Sequence, residues 1–140
     1  PAACTVIAKD AFVNCVAATK VVIRGKITKL EHGTFQGCRS MVSITLPSTV
    51  KSIGQYCFEG CRALRSFTVP AACTTMNGQA FQGCHALNSI FLPKTVTTLS
   101  GAVFYNCINL TIYCEADRRP SGWNASWNNP NRPGVWGAQA

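Results

Sequence analysis

Apolar positions return along this chain every 23 residues. Phe12, Phe35, Phe58, Phe81 and Phe104 form one column, and Cys15, Cys38, Cys61, Cys84 and Cys107 form another three residues on. A third column holds Ala18, Met41, Leu64, Leu87 and Leu110. Two more run Val21, Ile44, Phe67, Ile90 and Ile23, Leu46, Val69, Leu92. On the far side lie Cys4, Ile27, Val50, Cys73, Val96 and then Ile7, Leu30, Ile53, Met76, Leu99. A fixed period of this size is the pattern of a solenoid, in which each coil buries its apolar face only against its neighbours.

Within a coil the spacing changes. Met41, Ile44 and Leu46 follow L-x-x-I-x-L, and the closing in-out-in alternation predicts a short half-buried strand. Pro47 ends it, having no N–H for a ladder. From Val50 to Phe58 the apolar residues stand three to five apart, which predicts a turn or one or two helical turns. The expected fold is an α/β solenoid: one continuous parallel β-sheet with short helical or irregular returns. The fifth copy is shortened by one residue between Leu110 and Ile112, so Ile112 and Cys114 take the inward places.

The unit, read as L-x-x-I-x-L-P-x-x-V-x-x-I-G-x-x-A-F-x-G-C-x-x-L, resembles the BspA-like, or treponemal-type, leucine-rich repeats over about residues 1 to 115. Thr34-Phe35-Gln36-Gly37-Cys38, Cys57-Phe58-Glu59-Gly60-Cys61 and Ala80-Phe81-Gln82-Gly83-Cys84 carry the likeness. The first copy departs most, with Arg24 in the Pro column. The resemblance implies a leucine-rich-repeat solenoid in a secreted or cell-surface protein that binds and adheres to matrix proteins or other cells.

Residues 1–117 read as the solenoid, about five coils with the first divergent. Residues 118–140 read as a Trp/Asn/Pro-rich C-terminal cap, because all three Trp lie between Trp123 and Trp136. Solenoid ends need covering, and an aromatic sugar platform is the alternative for these indoles. Pro1 falls partway through a coil, so either a leader has been removed or a longer protein surrounds this chain. Lys20-Val21-Val22-Ile23-Arg24 should then be an open edge strand, a route to a homo-oligomer through the N-terminal edge. The tail from Pro133 to Ala140 has no place in the repeat and is the candidate strand for a neighbouring copy to accept.

Nine cysteines in a chain of 140 residues would ordinarily suggest disulfides or a metal site. Here five keep one column, so they read as buried thiols packing like small hydrophobes. No C-x-x-C pair occurs, and neither metal nor cofactor is expected. The net charge of +8 suits anionic partners, yet the basic residues are scattered. Only Arg39, Arg62 and His85 make a column, and no nucleic-acid motif accompanies them. No apolar run approaches the ~20 residues of a membrane helix.

The five acidic residues form no column, which argues against paired-carboxylate catalysis. His32 and His85 stand at different places in the repeat, and the chain does not read as an enzyme. What remains is surface. The outward strand positions are Ser43, Thr45, Ser66, Thr68, Ser89, Phe91, Thr111 and Tyr113, with Lys20 and Val22 in the first copy. A hydroxyl-rich face with two aromatics is the candidate site for a protein or glycan ligand. Asn109 and Asn124 begin N-x-S/T sequons and are candidate glycosylation sites. Two further expectations are kept: a self-assembling extracellular filament joined head to tail, and a basic module for anionic polymers.

Overall fold

The computed structural model describes residues 6–7, 12–128 and 131–139. Cys4 and Asp10 lie outside them. Each coil contributes two strand positions. The L-x-x-I-x-L segments give β2 (Lys20–Val22), β4 (Ser43–Thr45), β7 (Ser89–Leu92) and β9 (Thr111–Cys114). The returns give a second set of two-residue strands: β1 (Val6–Ile7), β3 (Lys29–Leu30), β5 (Ser52–Ile53), β6 (Thr75–Met76) and β8 (Thr98–Leu99). The tail adds β10 (Gly134–Trp136).

Of the two expected forms of return the helical one is not found: among the described residues the returns are turns and short strands. A helix would have kept their N–H groups inside the coil. Here those groups reach across to the next coil, building a parallel sheet in the order β1-β3-β5-β6-β8. Its register sets Lys29, Ser52, Thr75 and Thr98 outward beside one another, and Leu30, Ile53, Met76 and Leu99 inward.

The expected single sheet of L-x-x-I-x-L strands is split in two. β2 pairs with β4, and β9 pairs with β7 on one side and β10 on the other, all in parallel. In the third coil the ladder thins to a bridge between Ser66 and Ser89 and a bond from Arg65 N–H to Val42 O at 3.3 Å. At the break stands Phe67, an aromatic where other coils place Val21, Ile44 and Ile90. Its buried ring wedges between Phe58 and Phe81, with centroids 5.1 and 4.8 Å away. Seating that volume in an aliphatic position displaces the backbone from its neighbours, because interiors are close-packed.

Beneath both sheets the Phe column forms a stack from Phe12 to Phe104, with successive centroids 5.3, 5.4, 5.1 and 5.6 Å apart. Such offset stacking adds to the area each ring buries. Coil-to-coil bonds hold the turns beside it, as in Phe35 N–H to Cys57 O at 2.8 Å and Phe58 N–H to Ala80 O at 2.7 Å. Two further columns have left-handed backbone: Asn14, Gly37, Gly60, Gly83, Asn106, and Gly33, Tyr56, Gln79, Ala102. The first uses Gly and Asn, the residues that adopt this geometry most readily; the second carries three residues that do not.

The end of the stack is closed by the Trp-rich segment. Trp123 bridges to Leu99 and is buried at 2% exposure, its Nε1–H donating to Val96 O at 2.9 Å. Trp127 packs edge-on against it at 4.8 Å. The tail is the third departure from expectation: β10 pairs in parallel with β9, aligning Val135 with Tyr113 and Trp136 with Cys114. Arg132 fixes this return, donating from Nη2 to Ile108 O at 2.9 Å and from Nε to Leu110 O at 3.3 Å. Bonded within its own chain, the tail is no longer a free strand to donate. At the other end, among the described residues, nothing pairs with the outer edge of β2.

Candidate binding surface

The outward strand face divides at Phe67. On one side Ser43 lies beside Lys20 and Thr45 beside Val22. On the other, Ser89 lies beside Thr111, and Phe91, Tyr113 and Val135 stand in one row across β7, β9 and β10. Tyr113 is 38% exposed and Val135 43%, while Phe91 and Thr111 are half-buried. The eight sequence-predicted residues thus share a face without forming one site. Ser66 and Thr68, both exposed, border a groove of about 390 Å³ at the break, floored by Phe67 and Ile90 and walled by Phe91. Val135 was not among the expected residues. Its signal was the Gly134-Val135-Trp136 alternation, too short to distinguish from loop.

A larger concavity runs along the return sheet, about 710 Å³, where the coils present Glu31, Gln55, Asn77, Gln79 and Ser100. Lys29 pairs with Glu31 at 3.0 Å at its first coil, and His32 meets the Tyr56 ring edge-on at 5.7 Å. This furrow offers amide and hydroxyl groups to a polar ligand. Its sequence signal was a pair of columns holding only polar residues and Gly: Glu31, Gly54, Asn77, Ser100 and His32, Gln55, Gly78, Gly101.

The third surface carries Arg39 and Arg62, both exposed, around a hollow of about 410 Å³ shared with Gln36 and Glu59. Gln36 Nε2 donates to Glu59 Oε1 at 2.8 Å, so the lone carboxylate here is already engaged. His85 completes the column but is half-buried.

The thiol column is more than small apolar bulk. Cys38, Cys61, Cys84 and Cys107 each direct Sγ at the carbonyl of the Phe one coil earlier, at 3.2, 3.3, 3.2 and 3.0 Å. Each is thus a weak donor placed where the turn leaves a carbonyl lone pair available. Burial raises the thiol pKa of Cys38, Cys57, Cys61 and Cys84, and pushes Cys73 and Cys114 up to about 11. A neutral thiol is a poor nucleophile and a poor metal ligand. Cys15 differs in being only half-buried. Among the described residues no three metal-binding side chains cluster.

The two sequons are unlike. Asn109 spends its amide nitrogen on His85 O at 2.8 Å. Asn124 is exposed and turns its carbonyl oxygen inward, accepting from Ser126 N–H at 2.8 Å and Ser126 Oγ–H at 2.7 Å.

Solved structures with the same architecture exist. A leucine-rich repeat protein of T. pallidum superposes with a TM-score of 0.76 at 24% identity, over 78% of this chain and 51% of its own. A leucine-rich repeat protein from Bacteroides ovatus gives 0.68 at 25% identity, over 81% of this chain and 35% of its own. A leucine rich cell surface protein from Faecalibacterium prausnitzii gives 0.55 at 21% identity, covering 87% and 33%. The chain thus spans about half the length of the first and about a third of the others. No curated protein is significantly similar to it. The model of the BspA type leucine rich repeat region matches residues 5–115 in six copies. With the coil register, the Phe stack and the thiol column agreeing with that match, the chain belongs to the BspA type leucine-rich repeat family.

Proposed function

We propose that this chain is a non-enzymatic binding module of a secreted or cell-surface protein, holding a protein partner on its outward strand face. The observation that carries the reading is the row Phe91–Tyr113–Val135, three apolar side chains set abreast on adjacent strands and left partly open to water. Aromatic residues at the centre of a contact supply most of its energy, and the hydroxyls of Ser89 and Thr111 beside them can serve as a polar rim. Leucine-rich repeat proteins are typically protein-interaction modules, and one structural relative is described as a cell surface protein. Among the described residues no helix is long and apolar enough to cross a membrane. In this reading residues 118–140 act as the cap that keeps the face rigid.

The test is binding of the purified chain to a panel of extracellular-matrix proteins by biolayer interferometry. Tyr113→Ala and Val135→Glu should each weaken the interaction roughly tenfold. Unchanged binding in both would move the site elsewhere. A second reading, end-to-end assembly, draws on the outer edges of β2 and β10, which among the described residues carry no paired strand. Sedimentation that shows only monomer across a wide concentration range would remove it. The third, an anionic-polymer binder, draws on Lys29–Glu31 being the one ion pair among the described residues. Salt-insensitive passage over heparin would dismiss it.

A further inference from the structure

We propose that the cap carries a carbohydrate subsite built on Trp136. The three indoles of the cap do not share one task. Trp123 and Trp127 are 2% and 7% exposed and close the end of the core. Trp136 touches both, at centroid distances of 5.8 and 6.0 Å, yet stays 40% exposed. Covering the core does not require that openness.

The open part of Trp136 borders a recess of about 480 Å³ shared with Trp127, Ser126, Asn128 and Asn131. That size falls within the usual span for small-ligand pockets, about 300–1,000 Å³. Its chemistry is an aromatic wall with polar groups at the rim. A pyranose ring is the complement: one face of C–H bonds edged by hydroxyls that both donate and accept. The electron-rich indole face suits the C–H bonds. Amide groups suit the hydroxyls, since each offers two donors and two acceptor lone pairs.

The rim is held in place before any ligand arrives. Asn128 is fixed by a reciprocal pair with Arg132, accepting its N–H at 2.9 Å and donating to its carbonyl at 3.1 Å. Arg132 is in turn tied to the carbonyls of Ile108 and Leu110. Asn131 is exposed beside them and makes no hydrogen bond with the described residues, which leaves its amide able to meet a sugar hydroxyl. Ser126 Oγ spends its proton on Asn124 Oδ1 and keeps its lone pairs to accept. Trp136 itself is placed by β10, whose register on β9 fixes its position at Cys114. The subsite lies at the end of the stack, separate from Phe91 and Tyr113.

The experiment is a titration of the 15N-labelled chain with gluco-, galacto- and manno-configured oligosaccharides and their N-acetylated forms, followed by NMR. Three indole N–H signals report on the three Trp. The expected result is saturation transfer to at least one sugar and the largest indole shift at Trp136, with affinity in the millimolar range. Trp136→Ala should abolish transfer, Trp136→Tyr should keep part of it, and Asn131→Ala should weaken it about 2–10-fold, the weight of one hydrogen bond. Tyr113→Ala should leave it unchanged, which separates this subsite from the protein-binding face. Transfer from none of the sugars, or a response centred away from Trp136 in the native chain, would overturn the proposal whether or not the Trp136→Ala chain folds.

Discussion

The two sheets of this solenoid obey the same 23-residue period and treat it differently. On the return side every coil pairs with the next, in order and without interruption. On the strand side one aromatic in an aliphatic column splits the ladder and opens a groove. At Gly54 the return backbones approach so closely that an added Cβ would meet the backbone of Glu31 and His32 at 2.5 to 2.7 Å. Regularity is enforced where backbones touch. Variation enters on the strand side, where one inward ring reshapes the face above it.

Removing the cap should strike both sheets at once and give the largest effect. Deleting residues 118–140 takes away β10, Trp123 and Trp127, and bares an apolar end. An aggregating or molten product is expected by light scattering and near-UV circular dichroism, whereas a soluble, cooperatively melting truncation would show that the Trp cluster serves another purpose. Phe81→Ala comes next. That ring contacts Phe58, Phe67 and Phe104, and its loss should cost about 3–5 kcal/mol in urea unfolding. A cost near zero would mean the stack is not what couples the coils.

Phe67→Ile tests the origin of the break directly. Losing two ring contacts should cost about 1–2 kcal/mol. Yet hydrogen exchange at Thr68 and Val69 should slow as the ladder closes. Exchange that stays as fast as in the parent chain would assign the break to something other than ring volume.

The thiols sharpen the contrast between interior and end. A thiol reagent should label Cys15 first and leave Cys38, Cys57, Cys61, Cys84 and Cys107 untouched until global unfolding. Their pH dependence has a definite sign. Folding holds Cys73 and Cys114 at about 11, above the 9.0 of a free thiol. Their stabilising contribution is therefore complete below pH 9 and is lost as pH rises toward 11, because the unfolded chain ionises first. The melting temperature of reduced protein should fall across that window, and a flat profile would contradict it. Smallest is Ala102→Gly. Ala102 holds φ at +54°, where its column counterpart Gly33 sits without strain. The change should stabilise by up to ~1 kcal/mol, since relief of left-handed strain slightly exceeds the entropy glycine loses.

Most of the architecture was legible because columns are registers. Ile112 and Cys114 fall opposite Ile90 and Leu92, as the shortened fifth copy requires. The return sheet was not legible, for a physical reason: a strand of two residues gives no alternation to read, and Ser52-Ile53 looks like any turn. Phe67 was visible in its column, but apolar character alone does not reveal that a ring displaces backbone. The outward residues follow from the strand alternation, whereas their division into two groups depends on that displacement. β10 pairs with β9 from outside the repeat, so the pairing leaves no periodic trace in the sequence.

The coil-by-coil register also has a mechanical meaning. Neighbouring coils meet through ladders, turn hydrogen bonds, the Phe stack and the other buried columns, and β1 and β10 lie at opposite ends of the pile. Tension applied between those ends would peel coils from the extremities in sequence. Each coil surrenders about 4.8 Å of stacked height and releases ~75–80 Å of extended chain. A stack of this kind would lengthen stepwise under load while the remaining coils stay folded.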